Sequence, residues 1–274
     1  MIFLVRRVTI ILSARHTVKY LIMTNKDFTT LLIRLFLGFT FFSSGLCKLS
    51  GGSFGQFIGP PDLITTLSEY DLEGFGYLIV ISQVIFGVLV LTQRFSLLGL
   101  IGLIPMNLGI ISVTISQQWP GTPYVNTFIL LLNILVLVYE YDTLKGLVLV
   151  KSNSIKTSMV ARLFPNIILP IVILMLTVLS ISLLNEEGFY INFIGSITMV
   201  LVGVNIYQRK TLSIMERSTL FVCLLGLLIV INLQFIYLIF ASSDIILGVT
   251  ILLSFLLYMI TSIEKAIQAY QNQR

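Results

Sequence analysis

Long apolar runs recur along the chain, separated by short polar stretches. They fall at about Phe28–Cys47, Phe75–Thr92, Phe95–Ser116, Pro123–Tyr141, Phe164–Leu184, Phe189–Tyr207, Ser218–Phe240 and Ile245–Ile263. Each approaches the roughly 20 residues that a helix needs to cross the hydrocarbon layer. The runs are continuously apolar rather than alternating, which argues against strands of a membrane barrel. A helical bundle satisfies its backbone hydrogen bonds internally, as hydrocarbon demands. The pattern predicts an all-α, polytopic membrane bundle of about eight transmembrane helices.

Composition agrees. Of 274 residues, 57% are hydrophobic and 11% charged, against about 25% charged in soluble domains. That charge cannot cover so apolar a chain in water. Two cysteines exclude a disulfide scaffold, and the hydrophobicity excludes disorder.

Placing the charges changes the meaning of the net +5. With both termini on one side, that side receives 15 of the 17 Lys and Arg residues. Arg34 falls inside the first span, and Lys48 alone falls on the opposite side with 7 of the 12 acids. Basic loops face the cytoplasm, so the expected topology has both ends inside, in the cell's inner membrane. The basic face meets anionic lipid, and no nucleic-acid partner is expected.

The chain divides into four stretches. Residues 1–27 form a basic segment, too interrupted by Arg6, Arg7, Arg15, His16 and Lys19 to span. Two readings stand: a basic helix on the membrane surface, or an extension upstream of a natural start at Met23. Residues 28–150 hold four spans, 151–163 form a polar cytoplasmic linker, and 164–274 hold a second set of four. No internal repeat relates the two sets. The longest loop, Lys48–Gly74, faces outward. Within it Leu63, Ile64, Leu67 and Tyr70 fall at helical spacing, predicting a short amphipathic surface helix or a lid.

The first set of spans resembles the DoxX family of membrane proteins. The resemblance lies in the stretch from Arg34 to Leu49, which ends Gly45-Leu-Cys-Lys-Leu49, and in Ile58-Gly-Pro. It continues in Ser82-Gln83 with Gly87 and Arg94, in Pro105-Met-Asn107, and most specifically in Trp119-Pro-Gly-Thr-Pro-Tyr-Val125. It covers about residues 28–147; the second set matches nothing. The resemblance implies a four-helix membrane bundle and an accessory place in a quinol- or thiol-linked redox system, with quinone as the cofactor and a redox protein as the partner.

The residues offer little chemistry of their own. The only histidine, His16, lies in the amino-terminal segment, which leaves no ligand set for haem, zinc or copper. There is no phosphate loop, nucleophile elbow or metalloprotease helix. No metal site, no resident cofactor and no independent catalytic activity are expected.

Arg34 is the one charge deep in a span, where a partner is needed. The preferred expectation is an ion pair with Asp142 that ties the first and fourth spans. Glu140 and Asp27 lie nearby, and snorkelling to inner phosphates is the alternative. Gln83, Asn107 and Asn133 each fall near the middle of their own spans. They form either a polar mid-membrane pocket or, as the plainer reading, hydrogen bonds between helices. Pro105 frees the carbonyl of Ile101 nearby. Asn192, Asn205, Asn232 and Gln234 take the same plainer reading. Trp119, Gly121 and Pro123 form a rigid turn at the outer face.

Cys47 stands beside Lys48 at the outer end of its span, where a cation favours thiolate. A reactive thiol is one reading, a small packing residue the other. Cys223 lies at a depth differing by on the order of 15–20 Å, so a disulfide is not expected. The functions left open are a redox accessory subunit, a small-solute permease and a non-catalytic scaffold. Substrate and oligomeric state are open too.

Overall fold

A computed structural model describes residues 23–59, 62–148, 167–182, 188–208, 211–239 and 243–271. The segment before Met23 and the linker at 151–163 lie outside the described residues. All regular structure among those described is helical, in eleven helices. These are α1 (Asn25–Leu49), α2 (Leu63–Ser68), α3 (Glu73–Leu91), α4 (Ser96–Ser116), α5 (Thr122–Tyr139), α6 (Tyr141–Val148), α7 (Ile168–Ser182), α8 (Gly188–Tyr207), α9 (Ile214–Ile231), α10 (Leu233–Ile239) and α11 (Ser243–Gln271). Seven of them are long and apolar enough to cross a membrane: α1, α3, α4, α5, α8, α9 and α11. The eighth expected span, Phe164–Leu184, is represented by the 15 residues of α7.

The seventh expected span is displaced. Helix α9 begins at Ile214, four residues before the apolar run, because Ser213 and Glu216 form a reciprocal capping box. Glu216 lies outside the expected run Ser218–Phe240. It is buried in the first turn, and Lys265 of α11 is ion-paired to it. The helix stops at Ile231, and Asn232 turns the chain into the separate α10.

Helix α1 is the central element, with 83% of its apolar window buried, whereas α11 is peripheral at 11%. Helices α1 and α3 run antiparallel in close contact because glycines meet backbone. A Cβ on Gly87 would lie 2.4 Å from the Phe42 nitrogen, and one on Gly38 would lie 3.0 Å from the Gly87 carbonyl oxygen. Small residues let helix backbones approach in this way where no hydrophobic drive exists between them.

The long loop after α1 does more than lie on a surface. Residues 51–59 turn back along α1 and lodge between the two sets of helices. Phe54 is 1% exposed, packs edge-on to Phe42 and occupies the room left by Gly195 of α8. Gly55 abuts the Val230 carbonyl, where a Cβ would sit 1.9 Å from the oxygen. Phe57 reaches Phe39 near the middle of α1, with ring centroids 5.0 Å apart. Phe54 is the buried anchor of this segment, while Gly51 is exposed and its other residues are half-buried. The segment's carbonyls find donors from the second set: Asn192 Nδ2 donates to Ser53 O at 2.9 Å, and Gln234 Nε2 to Gly52 O at 2.6 Å.

The amphipathic stretch that follows forms α2. Leu63 and Leu67 are buried and Tyr70 is exposed, and the α2 backbone packs on Gly76 of α3.

Candidate functional site

Asp62, Glu69, Asp71 and Glu73 lie towards the carboxyl end of α1, the acidic end of the bundle; the opposite end is the one to which the sequence assigns the basic loops, the basic end.

Near the basic end, Arg34 is 0% exposed and its Nη2 donates to Glu140 Oε1 at 2.7 Å. The expected partner, Asp142, is exposed. The helix breaks at Glu140, the cap residue of α5, and a new helix starts at Tyr141, so only the cap carboxylate turns towards α1. Thr143 Oγ1 donates to the other oxygen of Glu140 at 3.0 Å, and the Tyr139 hydroxyl donates to Asp27. These contacts hold α1 to α5.

The three mid-span amides do not form one pocket. Asn107 Nδ2 donates to Asn126 O at 3.1 Å, and Asn133 Nδ2 donates to Leu100 O at 3.1 Å. Both bonds cross between α4 and α5, the plainer of the two readings. The acceptor for Asn133 is Leu100, one residue before the carbonyl that Pro105 frees. Asn205 Nδ2 donates to Thr92 O and Asn232 Nδ2 to Ser196 Oγ. With the bonds of Asn192 and Gln234 to the loop, all four amides of the second set serve as links between elements.

Gln83 is separate. It lines a hollow of about 30 Å³ at the acidic end together with Thr40, Ser44, Lys48, Gly59 and Trp119. Gln83 is 3% exposed and its Oε1 has no partner among the described residues; the same is true of Thr40 Oγ1. Lys48 is 7% exposed, and its ammonium donates to Ser44 O at 3.2 Å and to Ser44 Oγ. Trp119 forms part of the wall. Gly121, at φ +82°, takes the left-handed turn before α5, and Pro123 occupies the first turn of that helix. The turn thus shapes one side of this hollow. Lys48 and Asn126, which also lines it, were not singled out from the sequence as site residues. A lone lysine at a span end carries no local signal that the loop will fold over it.

Cys47, which does not line this hollow, is 3% exposed and packed in the core with Phe54 and Leu46. Its thiol is enclosed by side chains, which is the packing role. Both cysteines are free.

A second hollow of about 250 Å³ lies between the middle of α1, the middle of α9 and α11. Leu32, Leu35 and Phe36 form one wall, Cys223 and Leu227 another, and Phe57 of the re-entrant loop closes it above. Its polar lining comes from α11. Thr250 Oγ1 donates to Ile246 O at 2.7 Å, and Ser254 Oγ to Thr250 O at 2.8 Å. Each hydroxyl is both a donor and an acceptor. An apolar cavity of about 150 Å³ already holds a benzene ring. The larger hollow therefore has room for one ring, and the smaller does not. No cluster of metal-ligating side chains occurs among the described residues.

Residues 29–116 match the DoxX family model. The matched stretch runs from α1 to the end of α4. It includes Lys48, Gln83 and the Phe57 wall, and stops short of Trp119 and of the second set of helices. No curated protein and no solved structure matches the chain.

Proposed function

We propose that this DoxX-type membrane protein is an accessory subunit of a quinol- or thiol-linked redox system, without a catalytic centre of its own, and that it lodges the ring of a quinol in the hollow between α1, α9 and α11. The bundle lies in the inner membrane with eight spans and both ends in the cytoplasm, the orientation that its basic end favours. A redox protein of the same membrane is the partner.

One observation carries the reading: the 250 Å³ hollow sits at mid-length of α1 and α9 and is bordered by α11, the helix least buried by protein. A lipid-soluble ring can therefore enter sideways from the bilayer. Thr250 and Ser254 line it with hydroxyls that accept from a quinol or, on turning, donate to a quinone.

The test is to purify the full chain in mild detergent, extract it and quantify isoprenoid quinones per protein. The expected result is near-stoichiometric quinone, lost in Leu227→Trp, which fills the hollow. Wild-type protein free of quinone overturns the reading. In that case, solute uptake into vesicles points to a small-solute permease, and its absence to a non-catalytic scaffold.

A further inference from the structure

We infer that the hollow at the acidic end is a binding site for a small monovalent oxyanion or carboxylate, held by Lys48 with Thr40 and Gln83. This site is distinct from the ring-sized hollow, and the inference stands whether or not a quinol occupies that one.

The argument begins with the ammonium. Lys48 is 7% exposed, and a buried cation is costly unless paired. Neither the Arg34–Glu140 pair nor the Lys265–Glu216 pair involves Lys48. No acidic side chain lines the hollow. An ammonium carries three donors, and the protein acceptors in contact with it are the carbonyl and hydroxyl of one residue, Ser44. The uncompensated positive charge therefore faces a cavity.

Two further polar groups in the same cavity are nine-tenths buried and without a partner among the described residues, Thr40 Oγ1 and Gln83 Oε1. Other buried side-chain atoms among the described residues also lack a partner, but Thr40 and Gln83 are the residues of that group that line the cavity of Lys48. A ligand with acceptor oxygens for Lys48 and Thr40, and with either an O–H for Gln83 or a turned amide, completes all three.

The loop is built to leave this space open. Gly59 takes φ +110°, and a Cβ there would stand 3.2 Å from Lys48 Nζ and 3.4 Å from Ser44 Oγ. Any other residue would press on the ammonium. Gln56 Nε2 donates to the Gly59 carbonyl at 2.6 Å and fixes the turn.

Size and charge narrow the ligand. About 30 Å³ is far below the roughly 150 Å³ that holds a benzene ring, so aromatic anions are too large. One cation neutralises one negative charge. Asp62, Glu69, Asp71 and Glu73 surround the acidic end and repel a dianion. A group of formate size meets these conditions.

The test uses the full chain in neutral detergent, in a buffer whose only other anion is bulky. Sodium formate is titrated, with benzoate as the size control and sulfate as the charge control, and the unfolding midpoint and calorimetric binding are followed. The expected result is a saturable response to formate alone. In Lys48→Met the affinity falls at least tenfold. Gln83→Glu gives the same loss, because its carboxylate occupies the ammonium. The proposal is overturned by a wild-type protein with no saturable response to formate, by equal responses to all three salts, or by a folded variant that binds formate as tightly as wild type. If Lys48→Met does not fold, Gln83→Glu and the wild-type titration decide the matter.

Discussion

Arg34 and Glu140, 106 residues apart, meet with no water-exposed surface on the guanidinium, Nη2 to Oε1 at 2.7 Å. The bond is single: Arg34 Nε and Nη1 have no partner. Removing one member of a buried pair typically costs about 3–5 kcal/mol, because the other charge is stranded. Glu140→Ala should therefore lower the unfolding free energy in detergent by about that amount. Asp142→Asn, at an exposed position, should change it by less than about 0.5 kcal/mol. Equal effects of the two substitutions would remove Glu140 from its place as the partner. Exchanging the charges, Arg34→Glu with Glu140→Arg, should recover part of the loss.

The crossing of α1 and α3 rests on Gly87. A Cβ at this position has no room beside the Phe42 backbone nitrogen, 2.4 Å away, and backbone yields less readily than a side chain. Gly87→Leu should destabilise the protein by at least about 1–3 kcal/mol. Gly109→Leu is the control, since nothing lies within 4 Å of a Cβ there. Chemical denaturation of both variants in one detergent provides the comparison.

The re-entrant loop joins the two sets of helices through Phe54. Truncating a buried phenylalanine costs about 3–5 kcal/mol. Phe54→Ala should approach that loss and loosen the contact with α8. Hydrogen exchange should rise around Asn192 and Gly195 while α4 and α5 stay protected. A uniform change across the chain would argue against a joining role for this loop.

Asn133 measures what an amide contributes as a link. Its bond to Leu100 O runs between α4 and α5. Such bonds contribute about 0.6 kcal/mol on average, with a maximum near 1.7. Asn133→Leu should cost no more than this in an unfolding experiment and leave the quinone content unchanged. A loss of bound quinone with intact stability would instead tie Asn133 to the ligand.

The positions of the spans were legible because hydropathy and length are local properties. Seven of the expected runs or their cores recur as helices long enough to cross, and the eighth contains the shorter, 15-residue α7. The run at Ser218–Phe240 was misplaced for a specific reason. Glu216 is a charge outside the apolar run, and Lys265, 49 residues on, supplies its counter-charge. The amide links were legible as a class, since an amide in hydrocarbon must find a partner, but their acceptors were not.

The scarcity of charge in this chain marks its class, a multi-pass helical membrane protein, by itself, since that follows from residue counts along a line. Only the tertiary structure decided which of two nearby carboxylates Arg34 meets. It alone turned residues 51–59 back between the helices, enclosed Cys47 and folded Gly59 over Lys48. Those outcomes depend on how helices cross and where a cap turns a side chain. Such angles are set by packing between residues far apart in sequence, at close contacts such as those of Gly87 and Gly55.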